Sequence, residues 1–302
     1  MEPLALTQLR LLDLEAGQPP FVACASGLAW TRRWFYVVAD DALFLAVFPA
    51  EGKAPGRRVP LFPGQLPEDH AQRKAKKPDL ESLCVLPRGH DWMHGALLAM
   101  PSGSTALRRG GAWLPLQRDG SVQAATARAC DFTPLFEKLF FELGALNLEG
   151  AAQVSDSLYV ANRGNRSAPS HLVELSLARV CGALEKGAPV PAAAFRRAER
   201  LTLGEVDGVP LTPTDLCAVR QTLLVCAAAE NTANAYDDGA TVGAALFALS
   251  GDLTIERSAA LPAGKKPEGL WAWREGKGLA VRLVCDADDP SVPSPLFGGT
   301  WR

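Results

Sequence analysis

Short runs of apolar and β-branched residues, separated by brief polar turns, fill most of the chain. The first group reads strand, turn, strand, turn, strand over 24–30, 34–38 and 43–48, with 56–62 as a fourth strand. The second repeats that order at 80–86, 96–100, 105–116 and 121–129. The third covers 146–154, 158–161, 172–177 and 198–205; its 178–194 stretch is rich in Ala, Pro and Gly and reads as an irregular loop. The fourth has 214–219, 222–227, 242–249 and 253–260, and the fifth has 268–273 and 279–284 with no outer strand of its own. One segment breaks the pattern. Phe132, Leu135, Phe136, Leu139, Phe140 and Leu143 lie on one helical face, after Asp131 as N-cap and before Gly144 as stop.

The groups start near 26, 80, 148, 216 and 268. Four-stranded units at such spacing are the blades of a β-propeller. The expected architecture is all-β: one propeller domain over residues 1–302, with five blades and one inserted helix near 132–143. Six blades is the alternative, the sixth hidden in 102–145 or 178–212. Residues 4–14, whose leucines have no clear period, are expected to supply the missing outer strand and close the ring.

The blade entries share a motif. Lys76-Lys77-Pro78-Asp79-Leu80-Glu81 returns as Lys265-Lys266-Pro267-Glu268-Gly269-Leu270, and without lysines as Leu146-Asn147-Leu148-Glu149-Gly150. Aligning the units puts Ser26, Glu81, Glu149, Cys217 and Glu268 at one position, and Asp79, Asn147 and Asp215 two residues earlier. In a propeller these inner-strand entries share one mouth of the channel with the loops between second and third strands. Those loops are Asp40-Asp41, Ser102–Ser104, Asn162-Arg163 onward, Glu230-Asn231 onward and Asp286 onward. Carboxylates crowded at one mouth raise one another's pKa unless a cation intervenes. Two remedies are available. One is Ca²⁺ with Glu81, Glu149 and Glu268 as ligands. The other is the local cations Lys76, Lys77, Lys266, Arg163 and Arg282. Inner-strand carboxylates can also simply accept backbone N–H groups from the next blade. His90 and His94 fall in the hairpin at the opposite end, outside this site.

Composition narrows the classes. A net charge of −2 gives no footprint for nucleic acid, and runs such as Arg73–Lys77 read as solvated surface. The seven cysteines include no CxxC pair and sit mostly in apolar runs, as buried thiols in a reducing compartment do. No basic, apolar leader and no apolar run of membrane-spanning length occurs, so a cytoplasmic protein with no membrane partner is expected. No G-x-S-x-G elbow and no Gly-x-Gly-x-x-Gly loop is present.

The entries at Asp79-Leu80-Glu81, Asn147–Gly150 with Leu158–Arg163, and Pro267–Leu270 make the chain resemble bacterial propellers of the phytase-like (esterase-like) and gluconolactonase-like groups. That resemblance implies a metal in the channel, often Ca²⁺, and hydrolysis of phosphoesters or lactones. The expected function is metal-assisted hydrolysis of a small anionic or sugar-derived ester. Glu149, Glu81 and Glu268 would be catalytic groups or ligands. The small molecule would be bound by Lys76, Lys77, Asp79, Asn147, Asn162, Arg163, Asp215, Glu230, Asn231, Lys266, Arg282 and Asp286. The alternatives are a non-catalytic small-ligand site and a platform for protein partners.

Overall fold

The computed structural model describes residues 1–17, 19–231, 241–286 and 289–302. Five antiparallel sheets stand around one axis, and the first four run from inner to outer strand in chain order. Blade 1 is Ala25–Trp30, Trp34–Ala39, Phe44–Pro49 and Arg57–Pro60. Blade 2 is Leu80–Leu86, Ala96–Pro101, Gly110–Pro115 and Arg128–Asp131. Blade 3 is Leu148–Val154, Ser157–Asn162, Ser170–Ser176 and Phe195–Leu201. Blade 4 is Val209–Val219, Thr222–Glu230, Thr241–Leu249 and Ile255–Ala260. Blade 5 takes Lys266–Glu275, Gly278–Asp286 and Pro295–Trp301 from the C-terminal end of the chain.

Its outer strand is Thr7–Leu11, antiparallel to Pro295–Trp301 with Thr7 opposite Gly298. The ring is therefore five-bladed and closed by the N-terminal segment, as the apolar pattern predicts. Glu2–Pro3 also pairs in parallel with the outer strand of blade 4. The first residues thus cover one sheet edge and complete another, removing two templates for edge pairing.

The strands alternate strongly enough to fill the space between every pair of blades with apolar side chains. Tyr36, Leu83 and Leu97 pack between blades 1 and 2. Trp92, Trp113 and Phe136 pack between blades 2 and 3, and Leu216, Val225 and Phe247 between 3 and 4. Leu246, Leu283 and Trp301 join blades 4 and 5, and Leu28, Phe35 and Val284 close the circle.

The predicted helix is Thr133–Leu143. Asp131 Oδ1 accepts the Thr133 N–H at 2.8 Å, and Gly144, at φ 78°, ends it. Among the described residues two further α-helices, His70–Lys76 and Leu177–Glu185, depart from the expected pattern. The second lies where a loop was predicted. Leu177, Val180 and Leu184 carry its buried face, a helical spacing diluted by the surrounding Ala and Gly.

All five inner strands share one irregularity. Their register to the second strand shifts between Ala25 and Gly27, Leu80 and Ser82, Glu149 and Ala151, Pro213 and Asp215, and Pro267 and Gly269. Each is a bulge, which bends the strand and re-aims side chains. The equivalent positions are therefore Ser26, Glu81, Gly150, Thr214 and Glu268. This corrects the alignment: Cys217 lies three residues too far along, and Glu149 directly precedes its bulge position. The reason is local. The inner strand of blade 4 already begins at Val209, and its Thr212-Pro213-Thr214 stretch reads as a turn in sequence. At the blade 3 bulge, Gly150 has φ 65°, and a Cβ there would lie 2.4 Å from the Leu216 nitrogen.

Candidate functional site at the channel mouth

Strand entries and second-strand ends meet at one end of the axis, stitched by backbone bonds. Asp79 N–H donates to Asp40 O at 3.0 Å, Ser102 N–H to Asp79 O at 2.9 Å, and Leu148 N–H to Ser102 O at 2.8 Å. Within this frame lies a polar cavity of about 110 Å³. Blade 1 lines it with Cys24, Ser26 and Asp40, and blade 3 with Asn147, Glu149 and Arg163. The segment entering blade 2 brings Lys74, Lys77, Asp79 and Glu81, the loop after its second strand brings Arg108, and blade 5 brings Lys266, Glu268 and Asp286. Among the described residues blade 4 lines none of it, although Thr212 and Glu230 back the wall.

The charges fall into two clusters. On the blade 1–2 side, Lys77 Nζ pairs with Asp40 and lies 2.9 Å from Asp79 Oδ1. Arg108 Nη1 meets Asp79 Oδ2 at 2.7 Å, and Ser102 Oγ donates to the same oxygen. Glu81 stands beside them with no hydrogen-bonding or ion-pairing partner among the described residues. On the other side, Arg163 Nη2 lies 2.8 Å from Glu230 Oε1, and its Nη1 lies 3.4 Å from Glu149 Oε1. Arg163 Nε donates to Thr212 Oγ1 at 3.2 Å. Lys266 Nζ reaches Glu230 and Glu268, each at 3.4 Å, and Asn147 Nδ2 donates to Glu149 Oε1 at 3.0 Å.

Burial sets the protonation of these groups. It pushes Glu149 up to about 7, with Asp79 and Glu230 adding to the shift and Arg163 and Lys266 opposing it. It raises Glu81 well above the carboxylate range, helped by the charges of Glu149, Asp79 and Asp40 and opposed by Lys77. Glu268 is also raised by burial, against the pull of Lys266. Asp40 is pushed up to about 6 by burial despite Lys77. Burial works against the charges of Lys77 and Arg163, but their carboxylate neighbours outweigh it and hold both cations firmly protonated. The Cys24 thiol is raised by burial and by Asp286, so this half-buried cysteine stays a neutral thiol.

Of the residues expected at this site, Glu81, Glu149, Glu268, Lys77, Asp79, Asn147, Arg163, Lys266 and Asp286 line the cavity. Glu230 stands just behind it. Asn162 supports the frame: its Oδ1 accepts the Asn147 N–H at 2.8 Å. Asp215 does not reach the cavity. It is fully buried and accepts the N–H groups of Leu216 at 2.7 Å and of Leu270, on the next blade, at 2.6 Å. The inter-blade tie considered for the glutamates is thus made by Asp215, and Ser26 makes another by donating to Leu80 O. Arg282 is elsewhere, its guanidinium over the Trp273 and Trp30 rings. Lys76 is exposed on the His70–Lys76 helix, and Asn231 is exposed and accepts from Arg166 at 2.6 Å. Residues 232–240 and 287–288 of two expected mouth loops lie outside the described residues. His90 and His94 are both exposed and line no part of the cavity.

The three glutamates expected to share a metal do not form one ligand group. Among the described residues, sets of three donors within 4.8 Å are Asp40 with Asp79 and Glu81, and Cys24 with Asp40 and Asp41. Asp40, Lys74 and Arg108 are cavity residues that the repeat alignment left out. The sequence does signal Asp40, because the Asp40-Asp41 loop belongs to this mouth by its place between second and third strands. Arg108 carries no repeat signal at all. The basic run 73–77, read as solvated surface, instead anchors this wall, with Arg73 Nε 2.8 Å from Asp41.

The fold is similar to that of known structures. An α-L-arabinofuranosidase from Podospora anserina, in complex with cellotriose, has a TM-score of 0.57 at 9% identity, over 100% of this chain and 98% of that one. An exo-β-1,3-galactanase from Phanerochaete chrysosporium, with β-1,3-galactotriose, has a TM-score of 0.52 at 8% identity over 98% of this chain. The chain spans only 64% of that galactanase. A hypothetical protein from Leishmania major has a TM-score of 0.50 at 12% identity, over 98% of this chain and 90% of its own. At such identities the likeness is one of fold. No curated protein matches the chain in sequence. Among the described residues, no helix is long and apolar enough to cross a membrane. A family model matches residues 22–299, from the first blade into the last strand, and the chain belongs to that family, a family of unknown function (DUF6929).

Proposed function

We propose that this protein is an acid–base hydrolase of a small sugar-derived molecule, with Glu81 as proton donor and Glu149 as base. The observation that carries the reading is the unequal placement of two interacting carboxyl groups on adjacent inner strands. Among the described residues Glu81 has no cation bonded to it, and burial holds it protonated, whereas Glu149 touches Arg163 and Asn147 and titrates near neutrality. Environments that push two carboxyl groups apart assign acid and base. A water loses a proton to Glu149 as its oxygen bonds to the sugar or acyl carbon. The bond from that carbon to the leaving oxygen breaks, and that oxygen takes the Glu81 proton. Solvent exchange then restores both groups. Arg163, Lys266 and Lys77 face the same space and would hold hydroxyl or anionic groups of the substrate. The sugar ligands named for two of the similar structures are compatible with this substrate class. The phytase-like and gluconolactonase-like resemblance, resting on the short entry motifs, points to ester or lactone variants of the same chemistry.

Turnover of a panel of 4-nitrophenyl glycosides and 4-nitrophenyl esters tests this. Glu81→Gln and Glu149→Gln should each lower the rate by about 10²–10⁴, the usual range for a positioned acid or base. Undiminished turnover in both variants would sink the assignment.

A resident Ca²⁺ is the competing reading. Asp40 Oδ1 is buried without a hydrogen-bonding partner and Glu81 is unpaired, so these oxygens, beside Asp79, are what a hard cation would take. The two readings exclude each other at Glu81, because a bound cation would hold it ionised. Stoichiometric calcium by elemental analysis, lost in chelator together with stability, would favour the ion over the acid.

A further inference from the structure

Beside the mouth cavity lies a second, larger chamber of about 440 Å³. The two spaces share a wall, since Asp40, Lys74 and Lys77 line both. The chamber differs in character from the polar cavity. Phe21, Val22, Ala42 and Phe44 make much of its lining. Phe21 is fixed by its bridge to Asp13, and Phe44 carries the Arg58 guanidinium over its ring at 5.8 Å. Both rings remain partly exposed. Glu68, also in the lining, is exposed, and the polar groups at the shared wall are held by one another. Arg73 holds the Asp41 side chain at 2.8 Å and the Asp41 carbonyl at 3.0 Å, and Lys77 holds Asp40.

We propose that this chamber receives an aryl group attached to a polar head that sits in the mouth cavity. The substrates would then be small aryl-bearing glycosides or esters rather than chains of sugars. A sugar chain needs a hydrogen-bonding partner for nearly every hydroxyl, and these walls offer few uncommitted ones. An aryl ring needs apolar contact and flat ring faces, which Phe21 and Phe44 supply. Asp40 and Lys77 line both spaces, so a molecule with its head in one and its ring in the other would place the bond to be cut beside them, on the Glu81 side. The substrate class rests on the hydrolase reading above, whereas the aryl site itself does not.

Benzyl alcohol, titrated into the full chain and followed by NMR, is the test, with glycerol as the polar control. Benzyl alcohol should shift the resonances of Phe21, Ala42 and Phe44, and glycerol should not. Ala23→Trp fills the chamber from its half-buried wall and should weaken binding about tenfold or more, equivalent to about 1.4 kcal/mol. Phe44→Ser should weaken it in the same direction, with thermal unfolding confirming that both variants fold. Equal affinity in wild type and both variants, or glycerol binding as tightly, overturns the proposal. Glu81→Gln separates the two ideas. If benzyl alcohol binds and no hydrolysis depends on Glu81, the chamber stands and the hydrolase reading falls. If hydrolysis depends on Glu81 and benzyl alcohol does not bind, the chamber falls alone.

Discussion

Glu149→Gln isolates the cost of burying a charge at the channel mouth. Glu149 is 4% exposed and titrates at about 7 against an ordinary 4.5. Between those two values the folded protein keeps a proton that the unfolded chain has released. Stability therefore falls as pH rises through this window and is level above it. At about 1.4 kcal/mol per pH unit, the window costs the wild type about 3 kcal/mol. Gln has the same shape, cannot ionise, and keeps an acceptor for Asn147 Nδ2. Relative to wild type, Glu149→Gln should gain about 3 kcal/mol between pH 4.5 and pH 8. Urea unfolding across that range, at fixed ionic strength, reads the difference directly. Asp40 titrates in the same sense, at about 6, but is present in both proteins and cancels to first order. Profiles that stay parallel within about 0.5 kcal/mol, the usual additivity error, would refute the reasoning. A gap that moves against the variant as pH rises would show that Arg163 outweighs burial and that Glu149 is already ionised.

The remaining expectations concern the frame. Asp215→Ala leaves the Leu216 and Leu270 N–H groups buried and unpaired, a loss of about 2–5 kcal/mol in denaturant unfolding, whereas Asp215→Asn keeps one acceptor and should lose less. Arg163→Met takes the nearer cation from Glu230 and the bonded one from Glu149, leaving Lys266 at 3.4 Å from Glu230, and should destabilise by up to about 3–5 kcal/mol, measured the same way. Gly150→Ala meets both a positive φ and the Leu216 nitrogen, so a loss of about 2 kcal/mol or more is expected, and an unchanged midpoint would contradict the close approach of blades 3 and 4. Removing residues 1–11 uncovers the Pro295–Trp301 edge, and light scattering should detect association of the truncated chain, with unfolding no longer cooperative.

Much of this fold was legible because propeller blades are local. Each strand run between Trp34 and Phe48, or between Leu80 and Met100, pairs with its neighbour in sequence, so alternation and turns suffice to order them. Even the long-range closure at Thr7–Leu11 could be inferred, from a fifth blade that lacked an outer strand. The site was legible only as far as it is repeated. Glu81 and Glu268 occupy equivalent bulges, and alignment finds such positions. It misplaces Glu149 by one residue and blade 4 by three, because a bulge inserts a residue that only the pairing with the second strand reveals.

What makes the mouth chemically uneven is not repeated at all. Five equivalent entries would give a symmetric ring of like charges, in which no carboxyl group differs from its neighbours. The differences come from departures. Ser26, Gly150 and Thr214 stand at three bulges where the other two carry acids, and the segment before blade 2 adds a helix that brings Lys74 to the cavity, with Lys77 just beyond its end. The loop 102–109 then carries Arg108 onto Asp79 at 2.7 Å. With Lys77 and Arg108 drawn to Asp79 and Asp40, Glu81 has no ion pair among the described residues to offset the burial that holds its proton. An acid at this mouth therefore depends on insertions into blade 2, so shortening the 102–109 loop should free Arg108 from Asp79 and move the titration of Glu81 without touching any repeated position.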